Sequence, residues 1–93
     1  MAERRITVGW PDGLHARPAS IFVRAVTSTG FPVTIAKGDG PPVNAASMLR
    51  VLGLGVEHGD EVVLASPDEN AEEALNRLAK LVSEGLDELP DPA

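Results

Sequence analysis

The chain has 93 residues, a net charge of -6 and no cysteine, which allows one domain and excludes disulfides and thiolate metal sites. Its acidity and its 3% aromatic content argue against nucleic acid, which demands a basic face and often stacking platforms. The N-terminus lacks the apolar core of a signal peptide and no apolar run is long enough to span a bilayer, so a cytoplasmic protein without membrane insertion is expected.

Along the chain, Arg4, Ile6, Val8 and Trp10 alternate with Arg5, Thr7 and Gly9, the pattern of a half-buried strand. Pro11-Asp12-Gly13 ends it. From Ala16, the residues Ala19, Phe22, Val23 and Val26 fall on one face of a helix. Pro18 is tolerated in its first turn, and Gly30 is its expected stop. Phe31–Ala36 reads as a second strand. The Lys37-Gly38-Asp39-Gly40 turn leads to a short third strand near Pro41–Asn44, whose prolines suit an edge. Ser47–Leu52 is expected to be a short helix with Ser47 as its N-cap. Glu61–Ser66 is a fourth strand. Ala71, Ala74, Leu75, Leu78, Leu81 and Val82 form the stripe of a last helix. That helix starts either with a capping box at Ser66-Pro67-Asp68-Glu69 or with Asp68 as cap, and Gly85 stops it. Residues 87–93 are expected to fray. The order β-α-β-β-α-β-α implies an α/β two-layer sandwich, with three helices on one face of a four-stranded sheet. The whole chain, 1–93, is one domain.

The chemistry centres on His15, between a glycine-containing loop and a helix. Helix N-termini carry unpaired N–H groups and the positive end of the dipole, a ready site for an anion. The helix end and Arg17 both disfavour a further positive charge on the ring, so a neutral, nucleophilic imidazole is expected. The same groups favour a phosphoryl dianion once it is attached. His58, in Glu57-His58-Gly59-Asp60, reads as a solvated turn residue. Glu57, His58 and Asp60 come from one tight turn and make a poor ligand set, so neither metal nor cofactor is expected. Gly38-Asp39-Gly40 lacks the Gly-Lys-Ser/Thr ending of a phosphate loop.

The segment Gly13-Leu14-His15-Ala16-Arg17-Pro18-Ala19 resembles the active-site signature of HPr, the histidine-containing phosphocarrier family of the phosphoenolpyruvate-dependent sugar phosphotransferase system. Ser47-Met48-Leu49-Arg50-Val51-Leu52-Gly53-Leu54-Gly55 resembles the family's serine site and short second helix. The likeness extends from Arg5 to about Leu86. It implies an open-faced sandwich with antiparallel strand order 1-4-2-3. It implies that His15 is phosphorylated on Nδ1 (the pros nitrogen) by phosphorylated Enzyme I and passes the group to IIA domains of sugar permeases. Arg17 would steady the phosphoryl group or contact the partner, and the amides of Ala16 and Arg17 would cap it. Such a carrier is a substrate of the enzymes on either side rather than an enzyme itself, and a monomer is expected. Ser47 matches a regulatory serine that a dedicated kinase and phosphatase act on in some lineages. Ala46 stands where many relatives carry lysine, which points to a helix cap in place of a kinase site.

A partner surface follows from the short helix. Met48, Leu49 and Leu52 would form an apolar patch rimmed by Arg17, Arg24 and Arg50, with the arginines steering acidic partners. Leu52 is expected mostly in the core and Met48 at the interface. Three alternatives stay open from sequence: a carrier for a nitrogen-linked branch, a carrier for a dihydroxyacetone-kinase branch, and a regulatory module that acts by docking alone.

Overall fold

A computed structural model of the chain describes residues 1–91. Four strands, β1 (Ala2–Thr7), β2 (Thr34–Lys37), β3 (Val43–Asn44) and β4 (Glu61–Ser66), form one antiparallel sheet in the order β1-β4-β2-β3. Three helices, α1 (Ala16–Thr29), α2 (Met48–Gly53) and α3 (Glu72–Glu84), cover one face of it. This is the open-faced sandwich and strand order that the resemblance implied.

Register fixes which side chains meet. Val62 and Leu64 of β4 point into the core, opposite Ile6 and Arg4 on one side and Lys37 and Ile35 on the other. Phe22 and Val26 of α1 close over Ile35 and Leu64 in one hydrophobic cluster with Val51 of α2 and Leu75, Leu78, Leu81 and Val82 of α3. Burying each such side chain contributes roughly 1.5–3 kcal/mol, so the helices are held to the sheet mainly by these residues. The opposite face carries Glu3, Arg5, Val63 and Glu61. There Arg5 pairs with Glu61 at 2.5 Å and with Asp39 at 3.3 Å.

The alternation that runs to Trp10 keeps its inward side, but β1 leaves the sheet after Thr7. The cause is α3. The Gly9 amide donates to the Val82 carbonyl at 2.9 Å, and the Trp10 Nε1–H donates to the Leu86 carbonyl at 3.0 Å. A Cβ at Gly9 would stand 2.1 Å from the Ser83 oxygen, so only glycine lets the two backbones meet there. β2 begins at Thr34 rather than Phe31, beyond Pro32. β3 begins at Val43 rather than Pro41, because Pro41 and Pro42 offer no N–H to the ladder. At the start of the last helix the observed cap is Asp68, whose Oδ1 accepts from the Asn70 amide at 2.8 Å. It opens one 3-10 turn, Glu69–Ala71, that leads into α3. Helices α1 and α3 end at Gly30 and Gly85 as expected.

Beyond α3, the expectation of fraying covers residues 87–93. Among the described residues of this stretch, Leu89 packs against the core cluster and Arg77 donates from Nε to the Pro90 carbonyl at 2.8 Å. Residues 92 and 93 lie outside the described residues.

Candidate functional site

The site begins with a joint between two loops. Gly13 has φ +65°, and a Cβ there would lie 2.4 Å from the Val56 oxygen and 2.6 Å from the Glu57 Cα. The Leu14 amide donates to the Val56 carbonyl at 3.0 Å, and the Leu14 side chain is buried. The Val56–Asp60 loop is itself fastened to the end of β1. Val8 donates to the Asp60 carbonyl at 2.9 Å, and Gly59 donates to the Val8 carbonyl at 3.0 Å. The Asp60 carboxylate accepts from the Glu57 amide at 2.9 Å and stands 3.5 Å from the Lys37 ammonium. That amide first, and the ammonium after it, hold the Asp60 carboxyl below the ordinary carboxylate range. Lys37 also donates to the Gly55 carbonyl at 3.1 Å, so one lysine ties both ends of the loop to β2.

His15 follows this joint as the N-cap residue of α1, with extended backbone (φ -79°, ψ -176°) and no side-chain cap hydrogen bond. Its carbonyl accepts the first helical bond, from Ala19, at 2.8 Å. Pro18 has no N–H, so the free donors of the first turn are the amides of Ala16 and Arg17, which have no acceptor among the described residues. The imidazole is largely exposed. Its Nε2 lies 3.3 Å from Glu57 Oε2, and Nδ1 has no partner among the described residues. Pro11, Asp12, His15 and Glu57 line one shallow surface depression. Both carboxylates there oppose a second anion, whereas the two free amides and the helix dipole favour one.

Arg17 does not bond to the ring. Its guanidinium stands 3.8 Å from Asp87 Oδ1, both side chains being well exposed. Arg24, one turn pair further along α1, lines a second depression with Ile21, Asp87 and Leu89. Ser47 caps α2, its Oγ accepting from the Arg50 amide at 3.3 Å. α2 packs beside α1. Of the residues named for an apolar patch, Leu49 is 81% exposed and Leu52 is 40% exposed, so Leu52 is not the core residue it was mostly expected to be. The reason is that Val51 takes the inward position of this short helix. Met48 is half-buried against the core.

The comparison with known families falls on this framework. The family model described as the PTS HPr component phosphorylation site matches residues 2–84. The chain belongs to the HPr family. The chain is a phosphocarrier of the phosphotransferase system. It is 75% identical over 91 residues to phosphocarrier protein HPr of Streptomyces coelicolor, covering 98% of each chain. It is 45% identical over 82 residues to phosphocarrier protein HPr of Haloferax volcanii, covering 87% of this chain and 92% of that one. A crystal structure of HPr from Thermoanaerobacter tengcongensis matches with a TM-score of 0.82 at 34% identity, covering 92% of this chain and 98% of that one. No helix among the described residues is long and apolar enough to cross a membrane, and no cluster of metal-ligating side chains occurs among them.

Sequence reasoning passed over two residues that the fold brings to the HPr-like site. In the sequence Glu57 enters only as a member of the poor Glu57-His58-Asp60 ligand set, 42 positions from His15. Only the close approach of Gly13 to Val56 and Glu57 carries it to the imidazole. Asp87 reads as tail, yet it pairs with Arg17. The one available signal was Gly13 itself, a glycine where two loops must touch.

Proposed function

We propose that His15 accepts a phosphoryl group on Nδ1 from phosphorylated Enzyme I and passes it to IIA domains of sugar permeases. The observation that carries this reading is the placement of an exposed histidine directly before two unpaired helix amides, those of Ala16 and Arg17. The Nδ1 lone pair attacks phosphorus in line. The developing charge on the phosphoryl oxygens falls beside the two amides and the positive helix end. Arg17 steadies the transferred group after exchanging its exposed contact with Asp87 for the new dianion, a small loss because such surface pairs are weak.

The reaction is exchange between partners, so the chain acts as a carrier and is not itself an enzyme. It needs no cofactor and works as a cytoplasmic monomer. Partners dock on α2 and the adjoining part of α1. Leu49 and Leu52 supply the apolar centre, with the half-buried Met48 in the same helix, while Arg17, Arg24 and Arg50 form the rim. Ser47 serves α2 as its cap, and a serine kinase and phosphatase are partners only where its hydroxyl is released from that role.

The test is a relay. The purified protein is incubated with Enzyme I and labelled phosphoenolpyruvate, and then an IIA domain is added. Label should enter this chain and leave it on addition of IIA. Label that never enters refutes the carrier reading; label that enters and stays refutes the assigned acceptor.

A further inference from the structure

We infer that Glu57 is a positioning residue for the phosphoryl transfer at His15. It holds the proton on Nε2 so that Nδ1 alone is nucleophilic. The inference deepens the proposed carrier role and rests on it.

The geometry supplies the first part. Glu57 Oε2 stands 3.3 Å from His15 Nε2, and the carboxylate has no other side-chain partner among the described residues. An ionised carboxylate only accepts hydrogen bonds. The Nε2 it faces must therefore carry the hydrogen, and in a neutral imidazole the other nitrogen then holds the free electron pair. The second carboxylate of the depression, Asp12, makes no hydrogen bond to the ring among the described residues.

The chemistry supplies the second part. When Nδ1 attacks, the N–P bond forms, the bond from phosphorus to the donor's leaving atom breaks, and the donor keeps that electron pair. The ring becomes a phosphorylated imidazolium with its hydrogen still on Nε2. The contact to Glu57 is then a bond between opposite charges, stronger than the neutral one it replaces. On transfer to the acceptor, the N–P electron pair returns to Nδ1 and the same neutral tautomer is regenerated. No proton has to leave or enter the ring in either direction. Because the imidazole is exposed, water would otherwise solvate both nitrogens and blur the choice between them.

The loop makes the arrangement specific. Glu57 is locked by its backbone through the Asp60 carboxylate and by the packing of Gly13, and neither depends on its side chain. Substituting the side chain therefore leaves the joint intact and separates positioning from folding.

The experiment uses potassium phosphoramidate, a small donor that brings no partner surface and meets both ring nitrogens. Products are assigned as Nδ1- or Nε2-phosphohistidine by long-range 1H–15N correlation spectra. The wild type should give Nδ1-phosphohistidine almost alone. Glu57→Ala should raise the Nε2 share roughly tenfold, the ratio that loss of one exposed charge-assisted hydrogen bond supports. Glu57→Gln retains an amide oxygen that can accept from Nε2, and should fall between the two. A mixture in the wild type, or an unchanged product ratio in Glu57→Ala, overturns the inference. Its failure is distinct from failure of the carrier reading, which shows as no labelling of the wild type by Enzyme I and phosphoenolpyruvate whatever the phosphoramidate products are.

Discussion

The Leu14 amide and the Val56 carbonyl meet at 3.0 Å, and this bond joins the loop that presents His15 to the loop that presents Glu57. Beside it, Gly13 lies so close to the second loop that no side chain fits. Gly13→Ala should cost roughly 3 kcal/mol, because strain at positive φ adds to a collision with backbone that cannot move aside. Gly55→Ala is the control: φ is +66° there as well, but open space surrounds the new methyl group, and the cost should be about 1–2 kcal/mol. Thermal melts of the two variants check this, and equal losses would show that the close approach adds nothing.

The joint should weaken in acid. Asp60 accepts from the Glu57 amide and faces Lys37, and both hold its carboxyl below the ordinary value. A depressed folded-state pKa gives stability that is complete above the unfolded value, about 3.9, and is lost as pH falls through the folded value. Asp60→Asn should therefore be less stable than wild type at pH 7, and the gap should close in strong acid, once pH has fallen through the folded value. Urea midpoints at pH 7 and in strong acid measure it. A gap of the same size at both would contradict the assignment to charge.

Ser47 is a cap with a long hydrogen bond, 3.3 Å to the Arg50 amide. Ser47→Ala should lower stability by about 0.5–1 kcal/mol, the lower part of the range for lost caps. Incubation with the family's serine kinase and ATP should leave Ser47 unmodified. Stoichiometric phosphorylation there would overturn the reading of Ser47 as a cap alone.

Leu49 is so exposed that Leu49→Ser should leave the melting temperature unchanged while weakening association with Enzyme I about tenfold, typical of losing an apolar anchor. On the proposed docking surface Arg17, Arg24 and Arg50 would steer the partner through fields that ions screen within about 10 Å at 0.1 M, so raising salt should slow association of the wild type. Stopped-flow rates over a salt series decide it; rates indifferent to salt would remove the arginine rim from the account.

Much of this molecule was legible in its sequence because its signals are local. The stripe from Ala71 to Val82 gave α3 and its buried face, Gly30 and Gly85 marked both long helices' ends, and the bounds of β4 came directly from Glu61–Ser66. The strand after Arg4 was read too long because its departure from the sheet is caused by α3, more than 70 residues away in the chain. Glu57 was missed for the same physical reason. Nothing in Glu57-His58-Gly59-Asp60 signals nearness to His15, and the contact exists only because the Gly13-Leu14 backbone meets Val56 and Glu57. Leu52 misled because a helix as short as Met48–Gly53 has room for one fully buried residue, Val51.

The most direct test of the central claim locates the phosphate. Wild type and His15→Ala are incubated with Enzyme I and phosphoenolpyruvate, and the bound phosphate is tested for its lability in acid and its stability in base. The wild type should gain one acid-labile, base-stable phosphate, and His15→Ala, with an unchanged melt, should gain none. Equal labelling of His15→Ala would contradict the account, because the phosphoryl group would then reside on another residue.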